Sequence, residues 1–157
     1  MNNDKIQLIS QSPFVKDADE NGWSFEVTDP ETGNRFNSSI SPWALLHSLG
    51  EERIEIELLV CGCSDAGCAG LDNEIFECSE KCVHWSFTEY GHPYSWFFDR
   101  TVYETGAMQM LHEIYVTQKG WDFNALEYES YDAFKNAIDD FLVAKPVFKR
   151  IWDNFAS

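Results

Sequence analysis

The chain has 157 residues, 27 acidic against 11 basic side chains and a formal net charge of -16, a length that suits one domain burying most of the surface its unfolded form exposes. That charge repels nucleic-acid phosphates and anionic membrane surfaces, and nowhere does an apolar run approach the roughly eighteen residues a membrane-spanning helix needs. Twelve Phe, six Trp and six Tyr supply bulky core material and argue against a disordered chain.

The N-terminal "MNNDKIQLISQSPFV" has no basic stretch followed by a long apolar run, so no signal peptide is predicted. Five cysteines cannot all pair, which suits thiols in a reducing, cytoplasmic compartment. A single domain over 1–157 is expected, with 1–12 loose.

"WSFEVTDPETGNRF", Trp23 to Phe36, predicts a hairpin that reverses over Asp29–Gly33, where Pro30 fixes φ and Gly33 permits a positive one. "SPWALLHSLG" predicts a short helix with Ser41 as N-cap, Pro42 in the first turn and Gly50 as terminator. "RIEIELLVC", Arg53 to Cys61, alternates apolar and polar side chains and predicts one strand.

"LDNEIFEC" and "CVHWSFTE" predict two more strands, joined by Ser79-Glu80-Lys81 in a hairpin, and "PYSWFFD", Pro93 to Asp99, a further one. From Thr101 the apolar residues Tyr103, Ala107, Met110, Leu111 and Ile114 recur at helical spacing up to Gly120, with Thr101 and Glu104 spaced as a capping box. Gly106 inside that helix costs about 1 kcal/mol relative to Ala and so marks close packing against another element. The tail predicts helices around Phe134–Leu142 and, after Pro146, around Phe148–Phe155. "WDFNALEYES" reads as a loose connection. The predicted fold is α+β: an N-terminal hairpin and short helix, then an antiparallel meander of about four strands, packed by two to three C-terminal helices.

Chemistry-bearing residues cluster in "VCGCSDAGCAG". Zinc takes about four thiolate or imidazole ligands in a tetrahedron, and structural sites take them as close pairs. The C-x-C-x4-C run of Cys61, Cys63 and Cys68 departs from the usual spacings, and Cys78 lies at the far end of the next strand, roughly 23 Å away at about 3.3 Å per residue. Only His92, brought back by the following hairpin, is placed to complete a set with the three thiols. The leading reading is a glycine-shaped loop with packed cysteines and no cofactor; the alternative is a zinc site of Cys61, Cys63, Cys68 and His92. Cys78 and Cys82, flanking a three-residue turn, are expected opposite each other across the ladder as two thiols.

A thiol nucleophile needs a base and an electropositive surround, and Asp65, Asp72 and the overall charge work against one. His47, His84 and His112 carry no recognisable partners. The chain contains no H-E-x-x-H, G-x-S-x-G, phosphate-binding glycine loop or dinucleotide fingerprint. Glu51/Glu52 and Asp139/Asp140 read as solvated faces. No catalytic residue is assigned.

Trp and Tyr anchor many protein interfaces, and an acidic rim steers a basic partner. Trp43, Trp96 and Trp121 adjoin turns or element starts, where partial exposure is expected, and are the candidate binding residues. "CGCSDAGCAG" followed by "CVHWSF" resembles small acidic bacterial proteins of unknown function that carry a C-x-C-x4-C-x-G hairpin and a V-x-W strand. That resemblance implies a bacterial domain, and size and charge alone are similar to those of immunity proteins that neutralise basic toxins. The expected function is a non-enzymatic acidic protein-interaction domain, an inhibitor or immunity-type partner of a basic protein. A small zinc-binding or thiol-dependent enzyme centred on the cysteine loop is the alternative, and homodimerisation through exposed aromatics a third outcome. Neither nucleic acid nor membrane is expected as a partner.

Overall fold

The computed structural model describes residues 8–16, 23–30, 32–60, 71–117 and 131–156. The described residues form an α+β fold, with two antiparallel sheets and four helices among them. β2 (Trp23–Thr28) and β3 (Arg35–Ile40) form the expected hairpin. The Asp29 N–H donates to the Asn34 carbonyl and the Gly33 N–H to that of Asp29, both at 2.8 Å. Gly33 takes a φ of +76°, where a Cβ would be strained. β1 (Phe14–Lys16) lies on the other edge of β2, with Phe14 opposite Phe25.

α1 (Pro42–Ser48) starts as its sequence predicts: the Ser41 hydroxyl accepts the Ala44 N–H, and Pro42 sits where a missing N–H costs nothing. Gly50, at φ +80°, turns the chain away from the helix.

The predicted Arg53–Cys61 strand is divided. β4 (Arg53–Glu55) pairs with β6 (Leu71–Cys78), whereas β5 (Leu59–Val60) pairs with β3 in the other sheet. Ile56–Leu58 cross between them. The physical reason is burial: Leu58 and Leu59 are 1% and 0% exposed, yet neighbouring side chains on one flat strand point to opposite faces. Changing sheets lets both enter the core.

The strand orders are β1-β2-β3-β5 and β4-β6-β7-β8, with β7 (Cys82–Glu89) and β8 (His92–Asp99) completing the expected meander. Along β7, Val83, Trp85 and Phe87 are buried and alternate with less buried polar residues. The two sheets meet through aromatic rings: Phe25 contacts Trp85, Trp96 and Phe98, and Phe36 contacts Phe87 and Trp96.

α2 (Arg100–Thr117) follows β8 without a loop. Its start differs from the predicted Thr101/Glu104 box. The Asp99 carboxylate accepts the Val102 N–H at 3.1 Å, while Glu104 turns to the Arg100 guanidinium, also at 3.1 Å. Gly106 does mark a close approach: a Cβ there would stand 2.9 Å from the Cβ of Ser12 and 3.4 Å from the Phe14 ring. α3 (Tyr131–Ala144) and α4 (Pro146–Ala156) are separated at Lys145, because Pro146 disfavours helix in the residue before it. α4 packs on α2, and α2 on β1 and β8. The Ile9 N–H donates to the Phe97 carbonyl and the Ile9 carbonyl accepts the Asp99 N–H, which ties the segment before β1 to β8. Residues 121–130, read as a loose connection, lie outside the described residues. Among the described residues no helix is long and apolar enough to cross a membrane.

Candidate functional site

The strongest chemical feature sits where the chain changes sheets. On β6, Phe76 faces the core against Trp85, and side chains two apart on a strand share a face, so Glu74 is carried inward. Between Asp72 and Ile75, β6 holds one residue more than β7, and Asn73 adopts a φ of +57°. This is a β-bulge built on a residue type that tolerates the left-handed region. Glu74 is 6% exposed.

Its Oε1 accepts the backbone N–H of Leu58 at 3.0 Å and of Leu59 at 2.9 Å. These are the donors at the crossing between sheets, and each would cost about 1–3 kcal/mol if buried without an acceptor. Oε2 is equally buried and has no hydrogen-bond partner among the described residues. Burial pushes the carboxyl from 4.5 up to about 8; the N–H groups of Leu59 and Leu58 oppose the shift and the Glu57 charge adds to it. Glu74 is therefore mainly protonated at neutral pH.

Glu74 lines an open recess of about 300 Å³ together with Ile56 and Asn73, and Glu55, Glu57 and Asp72 supply exposed carboxylates to it. No basic residue among the described residues lines it. Among the described residues no three Cys, His, Asp or Glu side chains converge well enough to hold a metal ion.

A second constellation lies on the outer face of the β6-β7-β8 sheet. Glu77 Oε1 is 3.4 Å from His84 Nδ1, and His84 Nε2 is 2.7 Å from Ser95 Oγ. His84, without recognisable partners in the sequence, thus has two, and it also stacks on Phe97 at 4.0 Å with the rings 5° apart. The order carboxylate, imidazole, hydroxyl is that of a nucleophile relay, but such a relay also needs a recess with donors for the developing oxyanion. Ser95 instead sits exposed on the sheet, and Glu77 is shared with Arg53 at 3.8 Å. The three form a cross-strand polar ladder, one hydrogen bond and one electrostatic contact.

The thiols of β6 and β7 are arranged differently from the prediction. Cys78 stands opposite Val83 and Cys82 opposite Asp99, so the two cysteines do not face each other across the ladder. Both are free. Burial pushes the Cys78 thiol up to about 11, with Arg100 opposing, and burial raises Cys82 as well. Neither is a ready thiolate.

Of the sequence-predicted site residues, Trp43, Trp96 and His92 are among the described ones. Trp43 is half-buried on α1 with its ring 4.9 Å from that of His47. Trp96, expected to be partly exposed, is 4% exposed; it points inward from β8 because the alternation set by Trp96 and Phe98 faces the β2-β3 hairpin. His92 is exposed at the start of β8, beside the Tyr94 ring. Trp121, Cys61, Cys63 and Cys68 lie outside the described residues. Glu74 was missed, although its phase relative to Phe76 is readable in "DNEIF". What could not be read was that its neighbours would close over it. Comparison of the chain with protein-family models, curated proteins and solved structures finds no match.

Proposed function

We propose that the chain is a non-enzymatic, acidic protein-interaction domain that docks a basic protein, in the manner of an inhibitor or an immunity-type partner. The observation that carries this reading is the recess at the sheet crossing, lined by Glu55, Glu57, Asp72 and Glu74 with no basic residue among them, on a chain of net charge -16. Field lines from the whole molecule and from the recess add there, which speeds encounter with a positive surface and penalises a negative one. The zinc or thiol alternative rests on Cys61, Cys63 and Cys68, outside the described residues, and on an exposed His92.

Titration calorimetry against a panel of small basic proteins tests the reading. Association is expected at low salt and weakens by about 10-fold or more near 0.2 M salt, because screening shortens to roughly 7 Å. The variant E55Q/E57Q/D72N is expected to bind more weakly than E52Q/E80Q/D140N, which removes the same charge from exposed positions elsewhere. Absence of association with every basic protein at low salt, or equal loss in the two variants, overturns it.

A further inference from the structure

We propose that the tip of the β7-β8 hairpin is the aromatic anchor of the docking face, where the Tyr90 ring stacks against a lysine or arginine side chain of a basic protein. The inference rests on the reading of the chain as a docking domain for such a partner, and names a contact for it outside the acidic recess.

Three observations carry it. The first is exposure. Tyr90 is 80% exposed, whereas every other Phe, Tyr and Trp ring among the described residues is buried or half-buried.

The second is the backbone beneath the ring. Tyr90 and Gly91 join Glu89 to His92, which pair across the ladder, and they take φ values of +49° and +81°. A two-residue hairpin turn with positive φ at both positions is normally filled by Asn, Asp or Gly, because a larger side chain crowds the backbone there. Tyrosine sacrifices stability at this position, and a strained residue kept on an exposed tip points to a role outside the fold. The tight turn also fixes the ring's base, so little more than its two side-chain torsions is ordered on contact.

The third is the charge around the tip. Burial, then the charges of Glu89 and Asp29, raise the Tyr94 hydroxyl, so both carboxylates stand near the base of the hairpin end. The Thr88 hydroxyl donates to the Asp72 carbonyl at 3.3 Å, and Asp72 lines the acidic recess. Thr88 and Tyr90 are two residues apart, roughly 7 Å along a strand, so the tip continues the recess. Arg35, opposite Thr28 near this end of the β2-β3 hairpin, is paired with Glu26. The His92 ring lies against Tyr94. An aromatic face attracts a cation through its quadrupole, and the neighbouring carboxylates add to that attraction while repelling an acidic surface.

The test uses the whole chain, with a capped hexa-arginine peptide and the most tightly associating protein of the basic panel as probes. The peptide is expected to shift the amide resonances of Tyr90 and Gly91. In Y90N, which places a favoured residue in the turn, the melting temperature is expected to rise by about 2–4 °C, while affinity for both probes falls about 10-fold by calorimetry. Y90F keeps the ring and is expected to bind within about 2-fold of the parent. V143A, which trims a side chain 83% exposed on α3, is expected to leave affinity unchanged.

Parental affinity in Y90N overturns the anchor. So does a Y90N chain less stable than the parent, since the ring would then serve the fold, and so does an equal loss of affinity in Y90F or V143A. If the basic protein binds and E55Q/E57Q/D72N weakens it while Y90N binds as the parent does, the docking reading stands and the anchor fails. If no basic protein binds at low salt, both fail.

Discussion

Glu74 Oε1 lies 2.9 Å from the backbone nitrogen of Leu59, so a side chain on β6 of one sheet caps the backbone of β5 in the other. With the parallel bond to Leu58 at 3.0 Å, it secures the point at which the chain leaves the β4-β6 ladder. Glu74 is also one of the residues lining the acidic recess, so the seam and the proposed docking site share one residue.

Removing that acceptor is expected to be costly, and replacing it conservatively is not. Glu74→Ala leaves two buried N–H groups unsatisfied and is predicted to lower unfolding free energy by about 2–4 kcal/mol, whereas Glu74→Gln stays within about 1 kcal/mol of the parent. Urea denaturation at pH 6 measures both; equal losses in the two variants would contradict the capping role.

Glu74 also makes stability depend on pH. Its carboxyl is raised from 4.5 to about 8 in the folded chain, so the folded state holds the proton more tightly than the unfolded one. The resulting stabilisation is complete below pH 4.5 and is lost as pH rises to about 8, with a total on the order of 5 kcal/mol. Glu104, raised mainly by burial with Arg100 opposing, acts in the same direction. The decline in urea midpoint between pH 5 and 8.5 is therefore expected to be clearly shallower in Glu74→Gln than in the parent, and identical slopes would show that Glu74 titrates normally.

Gly106→Ala tests the contact between α2 and the segment before β1. Helix propensity alone favours Ala by about 1 kcal/mol, but the added methyl would stand 2.9 Å from the Cβ of Ser12 and closer still to its hydroxyl oxygen. Net destabilisation of about 1–3 kcal/mol is expected, and Ser12→Gly in the same chain should recover part of it. A stabilised Gly106→Ala variant by thermal denaturation would refute the close packing.

Tyr103 presents the opposite case. Its hydroxyl is fully buried without a hydrogen-bond partner among the described residues, and burial raises its pKa well above the ordinary value. Its ring packs against Phe14, Phe76 and Phe98. Tyr103→Phe keeps those contacts and removes a desolvated hydroxyl, so stability is expected to be unchanged or to rise by about 1 kcal/mol. A loss above about 1 kcal/mol in the same denaturation series would mean that the hydroxyl is satisfied in solution.

Two of the tryptophans separate packing from binding. Trp96→Ala removes a ring that contacts Phe25, Phe36, Phe87 and Tyr94, and a loss of about 3–5 kcal/mol is expected. Trp43→Ala, at a half-buried position on α1, is expected to cost less and to leave a folded chain on which association can be measured. Reversal of that order by near-ultraviolet circular dichroism and urea denaturation would place Trp43 in the core.

Reading by local pattern succeeds where near neighbours decide the outcome. The Asp29–Gly33 reversal, the Ser41-Pro42 helix start, the break before Pro146 and the eight-residue strands β6 and β7 all follow from capping, turn chemistry and alternation within a few residues. The start of α2 was misread because Thr101 and Glu104 have the right spacing while Asp99, one residue before the helix, supplies the cap. Cys78 and Cys82 were misread because a three-residue separation does not by itself set the register of a turn.

The sequence by itself determined the α+β class, the acidic charge, most element boundaries and the close packing at Gly106, because these depend on composition and on interactions spanning a turn or two. Tertiary structure alone decided that Arg53–Val60 is shared between two sheets, that Trp96 is enclosed, and that Glu74 becomes a buried acid with one oxygen at the seam. Each of these depends on which elements close over a side chain, and desolvation by residues distant in the chain leaves no trace in the local pattern.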